Sequence, residues 1–506
     1  MLGLLRTEGV FINPSVTSVN PTDTLRSMQV FMNPTIHRRI MGINPAREAE
    51  ISQGISSTIT WVDSTGKEKE VIVPPTVYPP REDTTMFHKA LLKVKGEPGR
   101  LLEIGTGCGV IGSSMAENGW EVCGIDINPL AIVSARGNHQ NTGKFESIEM
   151  DIEEINNDFK KDWDVIAWNT PYLDSPDKNQ RLGPLEEAAL SWEGKHPIRK
   201  LLNLGNIQGM LAEKGCILAL ISAGEQSSQE LNSAISEGWS VRTIETRSQG
   251  GERTAVIALW KGWKWDPIRK NSVSSTMTIL DKNDHAGACI ISQEQTAGRG
   301  RNNSTWISKK GDLTGTWKII GPKTPILDVQ SIHMAASLAV INSICTWKGR
   351  GLESIHWINQ NECQYSVKWP NDIVCQASNT KVAGILLHAE SKGDQIWISC
   401  GIGINSSPRM VDGNICEGVS ESGLDNLEKH LHCHLSSWFE NHERVPDVDT
   451  SFLRRRWWSA ASYSQIIGKG KIYRNEPCVV SKLMNSKLQI YSKSGNKEIT
   501  GIEIHD

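Results

Sequence analysis

The feature that most constrains the fold is an alternation of short apolar strands with helical stretches, beginning near Arg100. The segments RLLEIG, EVCGIDI, DVIAWN and CILALIS each have the pattern of a buried strand, and predicted helices separate them. This alternation predicts a parallel sheet with helices on both faces. Two later strands, SVRTIETRSQ and TAVIALW, meet at Gly250-Gly251 and predict an antiparallel hairpin at the sheet edge.

The rest of the chain, which has 506 residues in all, is organised differently and is long enough for several domains. Near the N-terminus, STITWV and KEVIVPP flank a Gly-containing turn and predict a hairpin, and Ile36–Ala49 is a candidate amphipathic helix. After about residue 262 the alternation ends, which is typical of an α+β domain, and short strand candidates follow Ser464. The predicted units are an N-terminal extension with the hairpin (1–70), the alternating domain (71–262), a linker (263–273), the α+β domain (274–460) and a small β domain (461–506).

Charge and cysteine content favour a cytoplasmic protein that has no surface for binding membranes or nucleic acids. The formal net charge is -3, and the strongest basic run, Arg454–Arg456, has the length expected of a helix surface. The 11 cysteines form no CxxC pair and lie scattered in apolar segments, as reduced, buried thiols do. No apolar run approaches the ~18–20 residues of a membrane span, and no signal peptide is evident.

A glycine-rich turn follows the first strand of the alternating region. In LLEIGTGCGVIG, Gly105, Gly107 and Gly109 precede a helix, and such glycines let the backbone approach a ligand closely. Asp126 ends the next strand, where a carboxylate can accept hydrogen bonds from both hydroxyls of a ribose. The pattern indicates a site for a nucleotide-like ligand. The alternatives are an NAD-binding site and a tight turn that binds no ligand.

The sequence Asn169-Thr170-Pro171-Tyr172, which ends a later strand, favours one of these readings. The Asn169 side-chain carbonyl and a backbone carbonyl near the proline can accept hydrogen bonds from a substrate –NH2. Tyr172 can pack on the planar group. Positioning of this kind directs a nitrogen lone pair at a methyl donor without a strong base. A proline turn without function is the alternative.

These motifs resemble the class I methyltransferases of the HemK/PrmC type, which methylate the glutamine of the GGQ motif in peptide-chain release factors. VYPPREDT, LEIGTGCGVI, DINPLA, Asp151, NTPY and GGERTAVIALW occur in family order between Tyr78 and about Gly262, closest to the archaeal and eukaryotic branch. The resemblance implies an α/β Rossmann-like class I methyltransferase domain, S-adenosyl-L-methionine as methyl donor and a release factor as partner. It implies donor contacts by Thr84, Glu103, Gly105, Gly107, Asp126, Asp151 and Ile152, and acceptor contacts by Asn169, Pro171 and Tyr172.

Thr170 departs from this family, which usually has proline at that position. The backbone carbonyl survives the change, whereas the rigidity of the loop is in question. The methyl acceptor is therefore open, with adenine-N6 of nucleic acids, lysine and small molecules as alternatives. The absence of a basic patch argues against nucleic acid.

A second set of motifs lies in the later half. In QEQTAGRGRNNSTW, Arg299 and Arg301 alternate with glycines, and paired guanidinium groups on a loop suit a phosphate, although a solvated surface loop is equally compatible. Lys368-Trp369-Pro370-Asn371-Asp372, then Lys381 before an apolar strand, then ISCGIGINS follow in order. A partly buried lysine at Lys381 can stabilise charge that develops on an α-phosphate.

This half, about Ser274–Asp506, resembles biotin–protein ligases of the BirA type in GRGR…W, KWPND, K-x-AGIL and GIGIN. The resemblance implies an α+β biotin–protein ligase catalytic domain with a small C-terminal SH3-like β-barrel. Biotin and ATP with Mg²⁺ would form biotinyl-5'-AMP, which a lysine of a biotin carboxyl carrier domain of a carboxylase then attacks. The implied biotin contacts are Ser275, Thr276, Gln295, Arg299 and Lys381, and the implied ATP contacts are Arg299, Arg301, Trp306, Asn371, Asp372 and Asn405. The catalytic set across both halves is then Lys381, Arg299, Arg301 and Asn169, and no protein cluster fixes a metal by itself.

Two departures qualify this second resemblance. Asn302-Asn303-Ser304 replace an Arg-Gly-Arg that many members carry, so the loop loses two positive charges and weaker retention of the adenylate is expected. A methyltransferase-like domain stands where some members have a helix-turn-helix, so no operator DNA binding is expected.

The alternatives for the function are a lipoate ligase in the second half, or one half that acts as a non-catalytic binding module. In the cluster KHLHCHLSSW, His430 and His434 would share a helix face and could suit a metal, but a surface helix is the expectation.

Overall fold

The computed structural model describes most of the chain beyond residue 55. The described residues are 56–139, 143–156, 158–159, 161–171, 196–206, 209–222, 224–249, 252–281, 284–300, 304–322, 327–350, 364–411, 413–462, 471–473, 476–484, 487–499 and 504–505. The predicted helix at Ile36–Ala49 therefore lies outside the described residues, as does Gly250-Gly251.

The first half contains the predicted parallel sheet with helices around it. Its seven strands lie in the order β5-β4-β3-β6-β7-β9-β8, and all neighbours are parallel except β7–β9 and β8–β9. The strands are β3 (Arg100–Ile104), β4 (Glu121–Asp126), β5 (Phe145–Glu149), β6 (Trp163–Asn169), β7 (Leu211–Ser222), β8 (Trp239–Gln249) and β9 (Glu252–Lys261). The helices are α1 (Glu82–Leu91), α2 (Val110–Glu117), α3 (Pro129–Asn138), α4 (Pro197–Asn206) and α5 (Glu225–Ser236). The strand order reverses beside β3, where ligands of such sheets bind.

The N-terminal hairpin belongs to this domain. Strands β1 (Ser57–Val62) and β2 (Glu68–Val73) are antiparallel, as predicted. Apolar hairpin side chains such as Trp61 and Val71 lie in one buried cluster with Phe87 of α1. The predicted boundary between residues 70 and 71 is wrong, because it cuts β2 and separates core residues that pack together.

The second half is an α+β domain built on a mostly antiparallel sheet, in the order β10-β11-β14-β18-β17-β16-β15 with β19 and β20 attached. Its strands are β10 (Ile268–Val273), β11 (Cys289–Gln295), β14 (Leu313–Ile320), β15 (Tyr365–Lys368), β16 (Asp372–Cys375), β17 (Lys381–Lys392), β18 (Gln395–Ile404), β19 (Arg409–Val411) and β20 (Asn414–Cys416). A separate ribbon pairs β12 (Gly298–Arg299) with β13 (Thr305–Trp306). The helices are α6 (Val329–Trp347), α7 (Leu427–Phe439) and α8 (Thr450–Ser462). The predicted linker, 263–273, is too long, because β10 pairs with β11.

The C-terminal strands form a small antiparallel sheet in the order β24-β23-β22-β21-β25. They are β21 (Lys471–Tyr473), β22 (Glu476–Met484), β23 (Lys487–Ser492), β24 (Gly495–Ile499) and β25 (Ile504–His505). Buried residues such as Val480 and Ile490 share one apolar cluster with the preceding domain. The small β domain is present, whereas its closure into an SH3-like barrel stays a prediction.

The two halves pack against each other through α7 and β8. Cys433 of α7 lies in an apolar cluster of the first half, and Val445, just beyond α7, lies in another. Arg444 donates to the Asp164 carboxylate on β6 at 2.6 Å. Ser240 of β8 donates to Ser436 of α7 at 2.8 Å. The contact therefore combines shared apolar packing with specific polar bonds.

Helix α6 is the one helix, within the described ranges, that is long and apolar enough to cross a membrane by length and composition. Its residues are 83% buried inside the protein over the window concerned, and it lies between α7, α8 and the second sheet. That environment is the one expected of a core helix. The ten cysteines that the structure describes are all free thiols.

Two candidate active sites

The first candidate site is a cavity of about 580 Å³ at the carboxyl ends of the parallel strands. Ligands of open α/β sheets bind in this place because the strand-to-helix loops converge there. The predicted residues that line the cavity are Thr84, Glu103, Gly105, Gly107, Asp126, Asp151, Ile152, Asn169 and Pro171. Nine predicted residues from five chain segments therefore meet at one cavity, while Tyr172 lies outside the described residues.

The glycine turn has the backbone geometry that requires glycine. Gly105, Gly107 and Gly109 have φ values of 64°, 55° and 77°, which side-chain-bearing residues rarely adopt. A Cβ on Gly109 would also lie 2.7 Å from the Cβ of Ala135 in α3. The turn thus brings backbone close to the cavity and lets α2 and α3 pack closely.

Two carboxyl groups border the cavity, the buried Glu103 and the half-buried Asp126. Asp126 accepts hydrogen bonds from the backbone N–H of Gly107 and of Asn128, both at 2.9 Å, and burial raises its pKa. Burial raises the pKa of Glu103 to about 8. A hydrogen bond from the Thr106 hydroxyl, at 2.7 Å, lowers the pKa but does not cancel the effect of burial. Glu103 is therefore mostly protonated at neutral pH, and a cationic ligand group beside it would favour the ionised form.

The side-chain nitrogen and oxygen of Asn169, at the end of β6, differ in their hydrogen bonding. Its Nδ2 donates to Oδ2 of Asp83 at 3.1 Å. Its Oδ1 is buried and has no hydrogen-bond partner within the described part of the chain. An unsatisfied buried acceptor at a cavity is costly unless a ligand supplies a donor, so this oxygen fits an incoming N–H group. The sequence pattern did not identify Asp83.

Thr170 is held where the related family usually has proline. Its hydroxyl donates to the backbone carbonyl of Leu220 on β7 at 2.5 Å, and its side chain is buried. Its backbone N–H also donates to that carbonyl, at 3.3 Å. These bonds fix Thr170 to the neighbouring strand, so side-chain hydrogen bonding takes the place of ring rigidity.

The second candidate site is a cavity of about 220 Å³ on the second sheet. The predicted residues that line it are Ser275, Thr276, Gln295, Arg299, Trp306, Asn371, Asp372 and Lys381. Arg301, Asn302 and Asn303 lie outside the described residues. Asn405 does not line the cavity, because its Nδ2 faces the backbone carbonyls of Lys381 and Glu417 at 3.4 and 3.1 Å.

Part of this cavity is lined by polar side chains. Oε1 of Gln295 accepts hydrogen bonds from the N–H of Thr276 at 2.8 Å and from its hydroxyl at 3.2 Å. The side-chain NH2 of Gln295 is thus directed away from those donors. The hydroxyl of Ser275 is buried without a hydrogen-bond partner within the described ranges. A compact polar ring that both donates and accepts, such as a ureido group, suits this part of the cavity.

Another part of the cavity holds the predicted catalytic lysine. Nζ of Lys381 lies 2.7 Å from Oδ1 of Asp372 and 5.5 Å from the centre of the Trp306 ring. A Cβ on Gly403 would lie 2.2 Å from the Trp306 ring, which explains the glycine. The ammonium is partly buried, with 34% of its side chain exposed, and can reach an anion in the cavity.

A buried ion pair behind this part of the cavity was not predicted. Arg409 pairs with Asp312, and both side chains are almost fully buried. Asp312 also accepts hydrogen bonds from the backbone N–H and the hydroxyl of Ser406, at 2.9 and 3.0 Å. The pair ties the loop after β13 to the turn after β18 and so supports the wall that carries Trp306. The sequence motifs also did not identify Met277, which lines the cavity. Its sulfur would lie 2.5 Å from a Cβ on Gly401, so a side chain at that position would collide with it.

The histidine cluster in α7 lies in the interior instead of on a helix surface. Nδ1 of His430 and Nε2 of His434 lie 3.1 and 3.2 Å from the hydroxyl of Thr346, and burial lowers their pKa values to about 4 and about 3. The predicted surface helix is therefore wrong. These histidines pack α7 on α6 as neutral rings.

Comparison with known proteins divides the chain in the same way. Residues 96–256 match the family model of a methyltransferase domain, and residues 270–405 match that of the biotin/lipoate A/B protein ligase family. The two halves of the chain are therefore similar to two different families. The first match covers the glycine turn and Asn169, and the second covers Ser275 through Lys381, so each model includes most of one cavity.

Three curated relatives illustrate the two parts. The bifunctional ligase/repressor BirA of Bacillus spizizenii is 30% identical over 32% of this chain and 48% of its own length. A Methanocaldococcus jannaschii protein, provisionally named a protein N5-glutamine methyltransferase, is 29% identical over 37% of this chain and 93% of its own. The release factor glutamine methyltransferase of Buchnera aphidicola is 28% identical over 28% of this chain and 48% of its own. The chain thus spans about half the length of the BirA relative.

Proposed function

We propose that this chain is a bifunctional enzyme with an S-adenosyl-L-methionine-dependent N-methyltransferase in its first half and an ATP-dependent biotin–protein ligase in its second. The observation that carries the first activity is the buried Oδ1 of Asn169, which has no hydrogen-bond partner among the described residues, at the cavity formed by the glycine turn. The observation that carries the second is the cavity that Lys381 shares with the polar side chains of Ser275 and Gln295.

In the first site, S-adenosyl-L-methionine supplies an electrophilic methyl group when bound. Asp126 accepts hydrogen bonds from the ribose hydroxyls, and Asp151 with Ile152 borders the adenine. Glu103 and Thr84 lie near the methionine part, where an ionised Glu103 attracts the ammonium. Oδ1 of Asn169 and the backbone carbonyl of Thr170 accept hydrogen bonds from the acceptor –NH2, and Pro171 and Tyr172 border it. Rate enhancement then comes from orientation, because no base stronger than these oxygens is required.

The acceptor we propose is a glutamine side-chain amide of a peptide-chain release factor. The names of the Methanocaldococcus and Buchnera relatives support the amide, and the latter supports the release factor. The test supplies labelled S-adenosyl-L-methionine with a release factor, a variant of it with Gln→Ala in its Gly-Gly-Gln motif, DNA and RNA. Label only on the intact release factor supports the proposal. Label on nucleic acid identifies an adenine-N6 methyltransferase instead.

In the second site, biotin and ATP are substrates. Ser275, Thr276 and Gln295 hold the ureido ring of biotin, and Trp306 covers the adenine. Lys381 and Arg299, with Arg301, balance the negative charge that develops when the biotin carboxylate attacks the α-phosphate. Biotinyl-5'-AMP and pyrophosphate result, and a lysine amine of a carrier domain then displaces AMP. Asn371 and Asp372 are placed to hold ATP with Mg²⁺, whose preferred ligands are oxygens. The proposed role of Asn405 is indirect, through the backbone of Lys381.

The test of the ligase measures pyrophosphate release that depends on biotin, ATP and Mg²⁺. We expect Lys381→Ala to abolish it and Lys392→Ala to leave it unchanged, because Lys392 is exposed at the far end of the same strand, β17, and does not line the cavity. Equal loss in both variants would show that Lys381 has no special role. The carrier partner, a biotin carboxyl carrier domain of a carboxylase, is tested by transfer of labelled biotin to that domain and to a lipoyl domain as the alternative acceptor.

We further propose that the protein acts in the cytoplasm and binds neither membranes nor operator DNA. Ten free thiols and a net charge of -3 support this proposal. Fractionation of cells that express the intact chain, together with gel-shift assays on the promoter of its own gene, tests both statements.

A further inference from the structure

Asp83 lies in the first turn of α1, 86 positions before Asn169, with only 5% of its surface exposed. The N-terminal end of a helix carries partial positive charge, which stabilises an anionic side chain there. The neighbouring Thr84 hydroxyl also donates to Oδ1 of Asp83 at 3.4 Å. Asp83 is thus a buried acceptor in the wall of the first cavity.

The contact between Asp83 and Asn169 determines how the amide is turned. An ionised carboxylate only accepts hydrogen bonds, and an amide donates through nitrogen and accepts through oxygen. The side of the Asn169 amide that faces Oδ2 of Asp83, 3.1 Å away, must therefore be the –NH2. The oxygen is left facing the other way, where it is buried and lacks a partner within the described ranges.

We infer that Asp83 is a positioning residue that locks the Asn169 amide with its oxygen toward the methyl acceptor, and so restricts the acceptor to groups that donate an N–H. This inference rests on the proposed methyltransferase function. A reversed amide would turn its own N–H groups toward the acceptor –NH2, and two donors would face each other. In this inference Asp83 acts through Asn169.

Removal of the carboxylate should let the amide turn over. In Asp83→Asn the shape is kept, but residue 83 can then either donate or accept, so both orientations of Asn169 become available. A probe with an N–H donor at the place of the transferred methyl group reports the orientation. Sinefungin is such a probe, since it carries an amino group there, whereas S-adenosylhomocysteine carries none.

The experiment measures, by calorimetry on the full-length protein, the ratio of sinefungin affinity to S-adenosylhomocysteine affinity. We expect Asp83→Asn to lower this ratio about tenfold, the loss typical of one hydrogen bond to a charged group. In the Asn169→Ala background, Asp83→Asn should change the ratio less than about twofold, since the amide through which Asp83 acts is gone. Glu82→Gln is the matched control, because it removes an exposed carboxylate, which pairs with Arg247, from the same helical turn.

Each outcome decides the inference. An equal fall of the affinity ratio in both backgrounds would show that Asp83 attracts the amine of sinefungin directly. An unchanged ratio in the parent background would show that Asp83 does not orient Asn169. Either result overturns the inference. Retained S-adenosylhomocysteine affinity shows that the variant is folded. The affinity ratio is measured in the absence of a methyl acceptor. If the protein gives the expected ratios but methylates no release factor, the proposed acceptor is refuted and the inferred role of Asp83 is still supported. A protein that binds neither compound refutes both.

Discussion

Nε of Arg242, on β8 of the first half, donates to the backbone carbonyl of Ser437 on α7 of the second half at 2.9 Å. The same guanidinium donates to the carbonyls of Pro446 and Glu440 at 2.7 and 3.0 Å. Burial lowers the pKa of Arg242 to about 10, so it stays charged at neutral pH. One buried cation therefore satisfies three carbonyls across the domain contact.

We predict that this contact makes the two halves one unfolding unit. Arg242→Met should lower the free energy of unfolding by about 3 kcal/mol, because buried carbonyls lose their donors. In urea, intact protein should show one transition in which both domains unfold together. Lys264→Ala, which removes an exposed ion pair with Asp266, is the control and should change stability by less than about 0.5 kcal/mol. Two separate transitions in the intact protein, or an Arg242→Met variant as stable as its parent, would contradict this prediction.

The hydroxyl of Thr170 provides a second prediction. Thr170→Val keeps the shape and removes the bond to the Leu220 carbonyl, so the loop that carries the acceptor-binding carbonyl loses an anchor. We expect methyl-transfer kcat to fall about fivefold, equivalent to roughly 1 kcal/mol for a lost hydrogen bond. The affinity for S-adenosylhomocysteine should stay unchanged. Thr170→Ser retains the hydroxyl and should keep kcat within about twofold. Equal rates for the valine and serine variants would mean that the hydroxyl does not matter.

The protonation of Glu103 provides a third prediction, concerning binding of the methyl donor. Burial raises the pKa of Glu103 to about 8 in the free protein, and the donor's ammonium favours the ionised form. Binding should then release protons, so affinity should strengthen as pH rises from 6.5 to 8 and level off above that. The slope should approach a tenfold change per pH unit.

The control for this effect is Glu121→Gln, since Glu121 is an exposed carboxylate at the start of β4. It should retain the pH slope, whereas Glu103→Gln should lose it. Calorimetry in buffers with different ionisation enthalpies counts the protons released. Affinity that is independent of pH in the parent protein would contradict the assignment of Glu103 to the ammonium.

The sequence predicted those features that depend on local pattern. The alternating apolar runs predicted strands β3, β4, β6 and β7, and Asn169 was identified because its neighbours form a recognisable turn. Asp83 was missed because its role depends on a contact 86 positions away, which no local spacing encodes. The partners of Arg242 are backbone carbonyls, which any sequence supplies, so that contact had no pattern to reveal it. The linker was predicted too long because β10 is exposed and polar, and only its pairing with β11 shows it to be a strand.

The most direct test of the account is to measure both reactions in one preparation of the intact chain. Labelled biotin with ATP, Mg²⁺ and a carrier domain reports the ligase, and labelled S-adenosyl-L-methionine with a release factor reports the methyltransferase. The parent protein should transfer both labels. Lys381→Ala should lose biotin transfer and keep methyl transfer, and Asn169→Ala should show the reverse. A parent protein that transfers only one label, or a substitution that abolishes both reactions while the protein remains folded, would contradict the claim of two independent active sites in one chain.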